Sequence, residues 1–84
     1  MDLWSIMYNA DEIMKILSQE IYLSIAIECL EPKTVTQISS AIAHKLVNVG
    51  MWVKQLESQG ILNYTSEGWK TSDDVVTIIK KYFI

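Results

Sequence analysis

Lys45, Asn48, Met51, Lys54 and Gln55 recur at three- and four-residue spacing within "HKLVNVGMWVKQLESQGIL", residues 44–62. On a helix that spacing sets them along one side. A carboxamide such as that of Asn48 or Gln55 can bond the edge of an adenine through two hydrogen bonds, and the Met51 side chain can lie against a thymine methyl. Ammonium groups at Lys45, Lys54 and Lys70 suit phosphate oxygens, as do Thr36 and Gln37 at a helix start and Ser66 near a turn. This is the chemistry of holding a polyanion, and no bond is broken in it.

Catalytic chemistry finds no such pattern. Cys29 and His44 occur once each, on different predicted elements, without neighbours at metal-ligand spacing. Asp73-Asp74 reads as the acidic start of a helix, and no nucleophile–base arrangement or glycine-rich phosphate loop is present. The expectation is a chain that is not an enzyme and binds no metal or cofactor.

The elements that must carry these side chains follow from periodicity. "NADEIMKIL" opens a first helix with Asn9 or Asp11 as its cap, and Ser18 caps a second stretch, "SQEIYLSIAIECLEP", that Pro32 ends. "KTV" is a brief extended segment. Thr36 is the expected N-cap of "QISSAIAHK", whose Ile38 and Ile42 face inward. Leu46, Val49, Val53 and Leu56 form the apolar stripe of a helix over 46–59, with Gly60 as its left-handed stop. "ILNYT" and "WKT" pair as a hairpin around Ser66-Glu67-Gly68, with a wing over 65–70. Ser72 or Asp73 starts a last helix. Trp52 is expected to pack on the wing or the first helix, and Trp69 within the core. Gly50 either relieves packing beside another helix or lets something approach. The fold class is mainly α with a small β-hairpin, in one domain over 1–84.

That order, and Thr36, Gln37, Ile38, Ser39, Ile42, Val49, Val53, Leu56, Glu57, Gly60, Ile61 and Leu62, resemble the winged helix-turn-helix regulators of the arsenic-repressor-like and multiple-antibiotic-resistance-regulator-like kinds. The resemblance implies a DNA-binding transcriptional regulator, with the 46–59 helix in the major groove of double-stranded DNA and the 65–70 wing on the backbone. It also implies a homodimer joined by the first and last helices, through Leu3, Trp4, Met7, Ile79, Tyr82 and Phe83. Three departures from the family pattern stand out. Ala43 replaces the turn glycine, His44 stands where leucine is usual, and Lys45-Leu46-Val47 replaces a small polar cluster.

Bulk properties leave a second reading open. The chain has 84 residues, half of them apolar, and a net charge of −3. One lysine and six acids fall in residues 1–31, against four lysines and two acids in 32–71, so the middle is mildly basic. All seven cations are lysines, a composition that points to an AT-rich genome, archaeal or viral. The acidity, and the apolar Val47, Met51 and Trp52, also suit a winged-helix protein-interaction module that binds no DNA. No segment is apolar enough to span a bilayer, and nothing reads as a signal peptide, so a cytoplasmic location without membrane contact is expected.

Overall fold

A computed structural model describes the backbone over residues 3–84 and side chains over 10–84. Five helices and one hairpin follow in the order α1 (Leu3–Leu17), α2 (Glu20–Glu28), α3 (Val35–Ile42), α4 (Leu46–Ser58), β1 (Leu62–Thr65), β2 (Gly68–Thr71) and α5 (Asp73–Tyr82). This mainly helical layout with a single antiparallel hairpin is that of a winged helix-turn-helix. Leu3, Trp4 and Met7, assigned to a dimer interface, lie outside the residues whose side chains are described.

The break between α1 and α2 falls at Ser18–Gln19, as the sequence suggests. Gln19, not Ser18, takes the N-cap position of α2, because the Ser18 hydroxyl donates back to Lys15 O at 2.6 Å. α1 begins at Leu3, upstream of Asn9 and Asp11, so neither of them caps it. α2 stops at Glu28, before Pro32, and its last carbonyls find partners elsewhere in the chain. Thr71 Oγ1 donates to Ala26 O at 2.7 Å, Thr71 N–H to Cys29 O at 2.8 Å and Lys33 Nζ to Glu28 O at 2.8 Å. Buried carbonyls left without donors cost about 1–3 kcal/mol each, so this arrangement ties α2 firmly to the hairpin.

The extended segment expected at "KTV" shrinks to one residue. Lys33 N–H donates to Trp69 O at 3.0 Å and Trp69 N–H to Lys33 O at 2.7 Å, adding a single bridge to the edge of β2. The hairpin pairs Leu62 with Thr71, Asn63 with Lys70, Tyr64 with Trp69 and Thr65 with Gly68, leaving Ser66-Glu67 as its tip. The Thr65 hydroxyl closes the turn, donating to Gly68 O at 2.7 Å and accepting from Glu67 N–H at 3.2 Å.

The N-cap of α3 is Thr34, two residues before the expected Thr36. Thr34 and Gln37 form a reciprocal capping box: Gln37 N–H donates to Thr34 Oγ1 at 3.1 Å and Thr34 N–H to Gln37 Oε1 at 2.9 Å. Thr34 wins because the glutamine needed to complete the box stands three residues after it. At the other end of α5's approach, Ser72 holds the N-cap position. Its hydroxyl donates to Gly60 O at 2.8 Å and accepts from Asn63 Nδ2 at 3.0 Å, so it ties the hairpin to the end of α4 and does not cap α5.

α3 turns into α4 through Ala43, which adopts the left-handed conformation at φ 58°, ψ 47°. A turn that glycine would make without strain is therefore made here by a residue with a Cβ, at about 1–2 kcal/mol of strain. Its N–H, and that of His44, donate to Ser39 O, and the Ser39 hydroxyl donates to His44 O. Ala43→Gly is expected to raise the unfolding free energy by about 1 kcal/mol, read as a higher urea midpoint with an unchanged slope.

The core gathers Leu17 of α1, Ile25, Ala26 and Cys29 around α2, Ile38 of α3, Val49, Val53 and Leu56 of α4, Ile61, Leu62 and Trp69 of the hairpin, and Val75 and Ile79 of α5. Trp69 sits in it as expected. Ile79 was assigned to a dimer interface, but it is fully buried against the chain's own core and cannot meet a second copy. Leu46 departs in the opposite sense. It was placed on the apolar stripe of α4, yet it is 53% exposed. It lies in the first turn of α4, ahead of the region that α2 and the hairpin cover.

Burial pushes the Cys29 thiol from its ordinary value of 9.0 up to about 12, with Lys33 pulling it down and Glu28 pushing it up. In the unfolded chain the same thiol loses its proton near the ordinary value. The contribution is therefore fully present below pH 9.0 and is lost as pH rises toward about 12. Cys29 is expected to ignore a thiol reagent in the native chain at pH 8 and to react on unfolding. Cys29→Ser or Cys29→Ala should flatten the alkaline fall of the urea midpoint.

Candidate nucleic-acid interface

α4 presents its core stripe of Val49, Val53 and Leu56 inward, and Val47, Met51, Lys54 and Ser58 on its opposite side are exposed. Lys45 occupies the N-cap position of α4 and is exposed. Next to it the outward side carries Leu46, Val47 at 76% exposure and Met51 at 60%. Lys54 continues that side toward the hairpin, where its Nζ lies 5.3 Å from the centre of the Trp69 ring. Tyr64 stands on the same hairpin face, 67% exposed, with its ring edge on Trp69 at 5.0 Å and 62°. The exposed surface thus runs from Lys45 along Leu46, Val47 and Met51 to Lys54 and Tyr64.

Several residues assigned to polyanion contact are occupied elsewhere. Gln55 Oε1 accepts from Tyr22 Oη at 3.2 Å, which ties α4 to α2 and turns its carboxamide aside. Gln37 is held in the capping box, and Asn48 is half-buried on the same flank as Gln55. Lys70 pairs with Asp73 Oδ1 at 3.5 Å. It alternates with Trp69 along β2, so it faces the opposite side of the hairpin from Lys54. Lys33 lies 3.9 Å from Glu28 Oε2 and caps α2 besides. Thr36 and Ser66 remain exposed, one in the first turn of α3 and the other at the hairpin tip. The site therefore gathers Lys45, Met51 and Lys54, and leaves Asn48, Gln55 and Lys70 at its margins or beyond.

Trp52 is half-buried and set against the edge of the core. It packs edge-on against His44, with ring centres 5.2 Å apart at 81°, on the flank of α4 that faces α2 and α3. The reason is angular. Trp52 lies one residue before Val53 on the side away from the hairpin, and His44 closes the α3–α4 turn beside it.

Leu46 and Tyr64 are the two surface members that sequence reasoning missed. Periodicity assigned Leu46 to the core because the stripe has the right spacing, and periodicity carries no information on where neighbouring elements stop. For Tyr64 the alternation of "ILNYT" was a usable signal. It places Tyr64 on the face of Leu62, and the strand register then sets it beside Trp69 at the edge of the core.

At Gly50 a Cβ would meet nothing within 4 Å. Packing beside another helix of this chain therefore does not require glycine there. Gly50→Ala is expected to stabilise the fold by about 1 kcal/mol through helix propensity, measured as a higher melting temperature. No family model matches the chain, and no curated protein matches it. Among the described residues no group of His, Cys, Asp and Glu could hold a metal ion, and no helix is long and apolar enough to cross a membrane.

Proposed function

We propose that this chain is a small winged helix-turn-helix regulator that docks on duplex DNA, with α4 in the major groove and the hairpin against the neighbouring backbone. One observation carries the reading. Within the helix-turn-helix and hairpin, Lys33 and Lys70 are paired, while Lys45 and Lys54 have no ion pair among the described residues and both border the outward side of α4. Lys54 and the Tyr64 hydroxyl would meet phosphates, and Lys45 would meet the strand across the groove. Leu46, Val47 and Met51 would lie against thymine methyls, so recognition would favour AT-rich sites by apolar contact more than by hydrogen bonds.

A homodimer belongs to the proposal. Two unpaired lysines on the α4 face make few phosphate contacts, and a second copy doubles them. Tyr82 and Ile84 are the exposed apolar residues at the end of α5, and Phe83 is half-buried beside them. The test is a titration of the full chain against a 20-base-pair AT-rich duplex (about 20 base pairs spans two half-sites). Binding that weakens steeply with salt supports the reading. Absence of binding at about 10 μM protein and low salt would sink it.

The exposure of Leu46, Val47 and Met51 favours a second reading, in which the same face docks a protein. A contiguous apolar patch on a small chain commonly marks such a contact. Met51→Lys separates the two, because a new cation suits DNA and disrupts an apolar protein contact.

A further inference from the structure

On the flank of α4 away from the hairpin, α2, the end of α3, His44 of the α3–α4 turn and Trp52 of α4 line an open groove of about 660 Å3. That volume lies within the range of small-molecule sites. Ile21, Ile27 and Ile42 supply its apolar wall, and the Trp52–His44 pair stands at one end. Glu20, Ser24 and Glu28 follow at four-residue spacing along α2, so they share one rim. No lysine lines the groove. Glu28 has Lys33 Nζ at 3.9 Å, but Glu20 has no cation partner among the described residues. The groove thus combines an aromatic pair and an apolar wall with an exposed carboxylate, Glu20, that has no ion pair among the described residues.

An anion would be repelled by Glu20 and Glu28, of which only Glu28 has a lysine beside it, and a neutral ligand would make no use of that charge. We propose that this groove is a binding site for a small organic cation with an aromatic body, its positive centre near Glu20 and its rings against Trp52 and the isoleucines. An indole face attracts a cation that sits over it, and the attraction grows as water is displaced. None of the lining residues lies on the outward side of α4, so the site stands apart from the DNA reading. It also gives a role to the half of Trp52 that the core leaves open.

The test uses two ions of nearly the same shape and opposite charge, tetraphenylphosphonium and tetraphenylborate, titrated into the full chain. Tryptophan fluorescence is followed, with Trp52→Phe assigning the signal apart from Trp4 and Trp69. The phosphonium ion is expected to bind saturably below about 1 mM and the borate ion not to bind. Glu20→Gln should weaken the phosphonium by roughly fivefold, while Asp74→Asn, the same charge change on α5, leaves it unaltered. Amide shifts on binding should fall on Ile21, Ile27 and Ile42. Equal binding of both ions, no effect of Glu20→Gln, or shifts confined to Leu46, Val47 and Met51 would each overturn the site. So would the absence of phosphonium binding at about 1 mM.

Discussion

Gly68→Ala is expected to lower the unfolding free energy by about 3 kcal/mol or more. Gly68 has φ +128°, a conformation that side chains rarely adopt, and a Cβ there would stand 2.6 Å from Lys33 O and 2.7 Å from Lys33 C. Both contacts are with backbone, which cannot swing aside as a side chain would. Relief requires moving Lys33, and Lys33 makes the two bridging hydrogen bonds to Trp69 and caps α2 through Glu28 O. The strain contributes about 1–3 kcal/mol, and each weakened hydrogen bond about 1 kcal/mol more. For a chain of this size that corresponds to a fall in melting temperature of roughly 15 °C. Gly60→Ala is the control. Gly60 also has positive φ, at +78°, but its Cβ would meet nothing within 4 Å, so only the backbone strain is expected. A Gly68→Ala melting temperature within about 3 °C of the parent would mean that the Lys33 approach is not a tight constraint.

Lys45→Glu combined with Lys54→Glu is expected to weaken duplex DNA binding by about 100-fold at ~50 mM salt and to lower the salt slope by about 2 per subunit. The two lysines stand at the start and in the middle of the outward side of α4, exposed and without ion pairs among the described residues. Their loss should leave the fold nearly intact. Lys54 gives up its contact with the Trp69 ring, worth about 0.5–1 kcal/mol at an exposed site. Lys80→Glu with Lys81→Glu makes the same change in net charge on α5, far along the chain from α4. A comparable loss from that pair, with the oligomeric state unchanged, would show that overall charge, and not the α4 face, governs binding. Met51→Lys adds the complementary outcome: tighter DNA binding under the DNA reading, and a lost partner or altered oligomer under the protein reading.

Glycine placement offers a further check on how closely local chemistry and fold agree here. The α3–α4 turn needs a left-handed residue and has Ala43, whereas α4 carries Gly50 in regular helix with open space around it. Ala43→Gly and Gly50→Ala are therefore both expected to stabilise, in opposite chemical directions. A surface glycine that weakens its own helix is understandable if a bound partner approaches it closely, and Gly50 adjoins the Leu46–Val47–Met51 face.

Much of the architecture was legible in the sequence because it rests on local rules. The stripe of Val49, Val53 and Leu56 marked α4, Gly60 marked its end, and alternation in "ILNYT" with the short return "WKT" marked the hairpin. These signals come from period and turn chemistry, and both act within a few residues. Periodicity and turn chemistry together set the order of helices and hairpin, and the mainly helical layout with one small hairpin matches it. Caps were harder to place. Thr34 and Thr36 are equally good capping residues by type, and only the reciprocal bond with Gln37 distinguishes them.

The site was legible in part. Types and spacing picked out Lys45, Met51 and Lys54, and they do stand on one open side of α4. Spacing alone could not say that Gln55 would turn toward Tyr22, that Lys70 of β2 would pair with Asp73 at the start of α5, or that Lys33 would cap α2. Each of those outcomes joins residues from different elements, and pairing between elements depends on the angles at which they pack. The same holds for Leu46 and Ile79. Both are apolar residues at helical spacing, yet one is exposed at the edge of α4 and the other is sealed in the core. The sequence by itself determined which residues could face outward and which helices and strands would carry them. Only the tertiary structure decided which of those side chains are free, because burial and pairing are set by neighbours distant along the chain.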